Sequence, residues 1–132
     1  MTITAVLIIV GRVLLGGYFL MNAYNHLGRL EQTAGYAKFK GVPSPKLATV
    51  VTGLLLLLGG LSILLGVRPL WGIVALLVFF VPVTFKMHAF WKETDGQAKI
   101  GEQVNFMKNL AIIGALLIML AIPLPWEYSL QW

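Results

Sequence analysis

The sequence predicts an all-α fold: a polytopic membrane protein built as a bundle of four transmembrane helices. Three observations predict it. Hydrophobic residues make up 58% of the 132 residues and charged residues only 11%, where a soluble domain carries about a quarter charged. The apolar stretches are continuous rather than periodic. Leu47–Val67, Pro69–Phe85 and Asn109–Trp126 hold no charge, and Met1–Gly28 is interrupted only by Arg12. Each is close to the ~20 residues a helix needs to cross a bilayer. Finally, the basic side chains gather in two of the loops.

The first span, roughly 3–26, differs from a secretion signal. It has no positive n-region, no small-x-small cleavage site follows it, and Asn22 and Asn25 continue the helix, so it is read as a retained membrane helix. Span two, roughly 46–67, opens with Ser44 as N-cap and Pro45 at the first helical position. Span three, roughly 69–90, opens on Pro69 and contains Pro82. That proline cannot donate to the Val78 carbonyl and is expected to kink the helix before His88. Span four covers roughly 104–123. Between spans one and two, the segment EQTAGYAKFK (31–40) is expected to form a short amphipathic helix on the membrane surface. Residues 1–132 form a single domain. Gly11, Gly16, Gly17, Gly53, Gly59, Gly60, Gly72 and Gly114 lie in or near the spans. Close helix approach at small residues is their ordinary use in a membrane. They match no phosphate loop.

Four spans put both termini on one side. Loops one and three, with their helix ends, carry eight basic residues (Arg29, Lys38, Lys40, Lys46, Lys86, Lys92, Lys99 and Lys108), against Arg68 alone on the other side. Short basic loops mark the cytoplasm, so those loops are expected inside and the termini outside, in the inner membrane. The net charge of +5 is thereby assigned to orientation and to anionic lipid, not to nucleic acid. Trp71, Trp126, Tyr128 and Trp132 are expected at the outer interface, and Tyr24, Tyr36 and Trp91 at the inner one. The absence of cysteine excludes disulfides, thiolate metal sites, iron–sulfur clusters and a thiol relay on this chain. No metal site is expected.

Three polar sets sit at the inner helix ends. Asn22, Asn25 and His26 are spaced i, i+3, i+4; Thr84, His88 and Trp91 are spaced i, i+4, i+7; Asn105, Lys108 and Asn109 repeat the first pattern. Each spacing places its set on one helix face. Pointing inward, they would meet in one pocket. Histidines and a lysine at helix ends often only reach interfacial water. An unpaired amide against lipid is costly, so Asn109 is expected to bond across helices or to a ligand. Arg12 stands apart, ~13 Å deep from the outer boundary and ~21 Å from His26 at 1.5 Å per residue. With no acid in any span, it must find carbonyls, lipid phosphate, a bound anion or a partner chain.

The segments GRVLLGGYFLMNAYNHL, GYAKFKGVPSPKLATVVTGLLLLLGGLSILLG, FVPVTFKMHAFW and NFMKNLAIIGALL together resemble the DoxX family of small four-helix membrane proteins. The resemblance runs from Gly11 to about Leu120. It implies a polytopic protein linked to oxidoreductase systems. Relatives include the DoxD subunit of thiosulfate:quinone oxidoreductase and proteins tied to quinone or thiol stress. Arg12, His88, Trp91, Lys108 and Asn109 match recurrent family positions. Tyr24–Asn25 and His26 stand where many relatives carry Gly and Lys, which weakens the carry-over there. Any electron donor is expected on another chain.

The leading expectation is therefore a quinone-binding subunit of a membrane oxidoreductase system, with a redox partner subunit or a second copy of itself as partner. His88 is the catalytic candidate, bonding a quinone carbonyl and passing a proton. Trp91, Lys108, Asn109, Thr84, His26 and Arg12 are the candidates for ligand binding. Quinone is the one candidate cofactor; a haem on His26 and His88 rests on a lone histidine pair, a weak signal. The rivals are a non-enzymatic anchor or assembly subunit and a transporter of a small organic molecule or anion. Whether the chain is itself an enzyme stays open.

Overall fold

A computed structural model of the chain describes residues 1–130. The protein consists of α1 (Ile3–Leu27), α2 (Leu30–Phe39), α3 (Pro45–Leu65), α4 (Pro69–Met87) and α5 (Gly96–Leu120), with a 3-10 turn at Phe90–Lys92 between α4 and α5. Helices α1, α3, α4 and α5 are long and apolar enough to cross a membrane. The fold is all-α with four spans, as the sequence predicts, and lipid is the solvent for its outer faces. Trp132, expected at an interface, lies outside the described residues.

The helix ends follow local chemistry. The Thr2 hydroxyl accepts from the Ala5 N–H at 3.1 Å and starts α1. Ser44 precedes Pro45 as expected, but its backbone is left-handed (φ 44°) and its side chain makes no capping bond. Helix α3 closes at Gly66, whose φ of 71° is the left-handed stop that glycine adopts without strain. A tight turn then leads to Pro69, the first residue of α4. Helix α4 continues through Pro82 and stops at Met87, three residues before the expected end at 90. Helix α5 begins eight residues before the expected 104, because the Asp95 carboxylate accepts from the Ala98 N–H at 2.9 Å and caps it at Gly96. It ends at Leu120 rather than 123.

The spans pack in the order α1–α3–α4–α5, and α2 lies across α3 and α1 with Ala34 and Ala37 buried. The α1–α3 contact is the tightest because both helices are thinned. A Cβ on Gly16 would stand 2.9 Å from Leu64 Cβ, and one on Gly53 would stand 2.7 Å from Leu27 Cδ2. Gly59 and Gly72 do the same between α3 and α4, where a Cβ would meet Leu76 and Ser62. Where lipid tails are as apolar as the side chains, such close approach holds helices together through dispersion. Among the described residues, no atom beyond the local helix backbone lies within 4 Å of a would-be Cβ on Gly11, Gly17 or Gly114, so packing among those residues does not account for these three. Phe19, Leu56, Ile63, Leu76, Phe80 and Leu116 form the core. Trp126 joins them at 3% exposure. It is therefore a core residue and not the interfacial ring expected from its place near a helix end.

Candidate functional site

Two polar centres lie at opposite ends of the molecule. The first is built on Arg12, 6% exposed and turned toward the C-terminus of α3. Its Nε donates to the Ile63 carbonyl at 3.2 Å and its Nη2 to the Leu64 carbonyl at 2.9 Å. Its Nη1 donates to the carbonyls of Glu127 (2.9 Å) and Tyr128 (3.1 Å). Helix C-terminal carbonyls have no partner within the helix and carry partial negative charge. The guanidinium satisfies two of them and ties down the tail, which also bonds Leu130 N–H to the Leu65 carbonyl at 3.0 Å. Of the alternatives open for Arg12, the structure selects backbone carbonyls. Expected among the ligand-binding residues, it lies apart from the cavity described next, because 14 helical residues separate it from His26, or ~21 Å.

The second centre lies at the α2 end. A cavity of about 310 Å³ opens there between α1, α3, α4 and α5, beneath α2. Its walls are largely apolar, with Phe79, Phe80 and Val83 facing Tyr18. The volume sits at the lower bound of small-molecule sites, roughly 300–1,000 Å³. Polar side chains reach it from all four spans: Asn22 and His26 from α1, Thr49 and Thr52 from α3, Lys86 and His88 from the end of α4, and Lys108 and Asn109 from α5. The three polar helix ends read from the sequence thus meet around one space.

Their hydrogen bonds define what each can offer. His26 Nδ1 lies 2.9 Å from the Asn22 carbonyl. A carbonyl only accepts, so Nδ1 carries the proton and Nε2 is left for other partners. The ring packs edge-on to Phe79, with centroids 5.5 Å apart. Asn22 spends one amide N–H on the Tyr18 carbonyl at 2.9 Å. Asn109 is 3% exposed and lines the cavity. Its amide makes no side-chain hydrogen bond within the described residues, so of the two partners expected for it, another helix or a ligand, the helix is not taken.

His88 is the C-cap of α4. Its Nδ1 lies 2.6 Å from Glu102 Oε2 on α5. Glu102 is the hub of a network: Tyr36 Oη donates to its Oε1 at 2.7 Å, and Lys40 Nζ lies 3.2 Å from the same oxygen. Lys40 also reaches Glu93 Oε1 at 2.9 Å. One carboxylate therefore joins α2, the end of α4 and α5. Burial pushes the Tyr36 hydroxyl up to about 12, helped by the hydrogen bond to Glu102 and its charge. Burial would lower the Lys40 ammonium, but the hydrogen bonds to Glu93 and Glu102 outweigh it and the net shift is upward. Lys40, counted above among the orienting charges, is thus an internal partner whose side chain is 12% exposed.

Several candidates stay outside the cavity. Thr84 is fully buried and donates within its own helix to the Phe80 carbonyl at 2.6 Å. Trp91 was expected on the Thr84–His88 face. The helix stops at Met87, so residues 88–91 leave helical spacing and Trp91 falls in the 3-10 turn. There it is half-exposed and packs edge-on to Phe90 and Phe106, at 5.3 and 5.6 Å between centroids. Asn25 and Asn105 also lie off the cavity wall. Conversely, sequence reasoning missed Glu102, Tyr36, Lys40 and Glu93. The missed signal was Asp95 as a helix cap, which brings Glu102 onto α5 two turns ahead of Asn109.

Four apolar spans around a cavity with polar side chains at one end define a helical membrane protein with a ligand-sized internal site. The chain belongs to the DoxX family, whose model matches residues 7–89. It is 30% identical over 129 residues to Inner membrane protein YphA of Escherichia coli (strain K12), covering 96% of this chain and 89% of that protein. No solved structure matches.

Proposed function

We propose that this DoxX-family protein is an inner-membrane subunit of an oxidoreductase system and that its cavity binds the head group of a quinone. The inner membrane follows the name of the Escherichia coli relative. The observation that carries the ligand is the apolar cavity with one imidazole, His88, locked to a carboxylate at 2.6 Å and one buried amide, Asn109, left without a partner. The Asn109 amide lines the cavity and makes no side-chain hydrogen bond among the described residues, so it is free for a ligand atom. These residues fit a planar carbonyl-bearing ring. A bound quinone would supply a redox centre that takes up two electrons and two protons.

The protein's own groups then have distinct tasks. Phe79 and Phe80 furnish the aromatic wall first expected from Trp91. Asn109 donates an amide N–H to a ligand oxygen, and Lys108 adds positive charge beside it. Glu102 accepts from His88 Nδ1–H, holding the ring and leaving Nε2 to exchange a proton with the ligand, as a second group orients a general acid–base. Glu102 also touches Tyr36, which is 41% exposed. The chain His88–Glu102–Tyr36 thus joins the cavity wall to water. Electrons come from a partner subunit.

The test is quinone affinity, measured by calorimetry on purified protein. His88→Ala and Asn109→Leu each remove one polar contact, worth about 1–3 kcal/mol, so binding weakens roughly 5- to 150-fold. Melting temperatures stay near wild type, because packing at small and apolar residues carries the fold. The rival reading, an anchor or assembly subunit, draws on α5, where only Asn109 and Leu116 are buried among the described residues. If both variants bind quinone as the wild type does but lose stability or a partner subunit, the anchor reading prevails.

A further inference from the structure

The cavity wall carries fixed charge of one sign. Lys86 from α4 and Lys108 from α5 both line it, and among the described residues no Asp or Glu does. Neither ammonium takes part in an ion pair among the described residues. The carboxylates of the neighbouring network are already engaged, Glu102 by His88, Lys40 and Tyr36, and Glu93 by Lys40. His26 and His88 bring no negative charge. Asn109 adds an unpartnered donor that is 3% exposed on the same wall. The remaining surface is mostly apolar.

We propose that the cavity is built for an organic acid: a flat apolar body carrying one anionic group, a carboxylate or an ionised ring hydroxyl. Lys86 and Lys108 neutralise the anion and Asn109 donates to it. An anion on that wall meets two ammonium groups that have no ion-pair partner among the described residues. A neutral ring offers the two ammonium groups no counter-charge. The inference builds on the quinone reading for the shape of the body and narrows it to quinones with an acidic ring hydroxyl. An anionic lipid headgroup has the same charge chemistry and could be met by long lysine side chains reaching out of the cavity; the experiment separates the two sources.

Full-length protein in nanodiscs of phosphatidylcholine is titrated by calorimetry with 1,4-naphthoquinone, with its 2-hydroxy derivative, which is ionised at neutral pH, and with 2-naphthoate. The hydroxy derivative is expected to bind roughly 10- to 150-fold more tightly than the parent, the range for hydrogen bonds to a charged group. The preference should collapse in the double variant Lys86→Gln, Lys108→Gln. Both side chains are exposed, so the variant keeps its fold, checked by its melting temperature. Equal affinity for the two quinones overturns the inference and leaves the quinone reading standing. Binding of 2-naphthoate with none of 1,4-naphthoquinone upholds the inference and removes the quinone reading. Loss of the preference when phosphatidylglycerol replaces phosphatidylcholine assigns the lysines to lipid headgroups and overturns the proposal.

Discussion

His88 Nδ1 and Glu102 Oε2 lie 2.6 Å apart although fourteen residues separate them in the chain. The contact joins the last turn of one span to the first turns of the next. It works because α4 stops at Met87 and α5 starts at Gly96, so the two helix ends face each other across a short connection.

Glu102→Leu removes the acceptor shared by His88, Tyr36 and Lys40. The variant is expected to lose roughly 1–3 kcal/mol, the cost of leaving polar groups without partners, and thermal melting measures it. Glu102→Gln keeps an acceptor oxygen for Tyr36 and should fall in between. If the leucine variant melts with the wild type, the network contributes nothing to the fold.

Tyr36 is expected to titrate late. Its hydroxyl is pushed up to about 12 in the folded protein, against about 10 for an ordinary tyrosine. A raised pKa stabilises the fold below the ordinary value, and that contribution disappears as pH rises from ~10 through ~12. The phenolate absorbance of wild type minus Tyr36→Phe should therefore centre near pH 12. Centring near pH 10 would mean that the bond to Glu102 is not made in solution.

Arg12→Ala deprives four carbonyls of their donor. The expected loss is roughly 3–5 kcal/mol, with protease cleavage appearing near residues 127–130 as the tail detaches. Arg12→Lys should recover only part of it, because an ammonium lacks the planar fork that serves several acceptors. Quinone affinity should not change in the lysine variant. A stable protein that has lost ligand binding would instead put Arg12 on a ligand path.

Orientation is checked by single cysteines, the chain having none of its own. Ser44→Cys and Glu127→Cys lie at opposite ends and are both exposed. In intact cells an impermeant thiol reagent is expected to label position 127 and spare position 44, because the eight basic residues hold their end inside. Labelling at 44 from outside would reverse the topology.

The sequence by itself determined that the chain is helical and how many spans it has. Continuous apolar length is a local property, and in a bilayer only a helix or a closed barrel satisfies the backbone. It also placed His26, His88, Lys108 and Asn109 at one end, since helical rise converts position into depth. Helix boundaries were less legible. Hydropathy put the start of the last span at 104, whereas the Asp95 cap extends the helix eight residues into a polar segment. That extension brings Glu102 to His88. Only the tertiary structure decided the partners. Arg12 meets carbonyls 51 to 116 residues away, and Lys40 meets carboxylates on the far side of two spans. Spacing along one helix says which side chains share a face; which face opposes it depends on the close packing at Gly16, Gly53 and Gly59, and that is a property of the assembled helices.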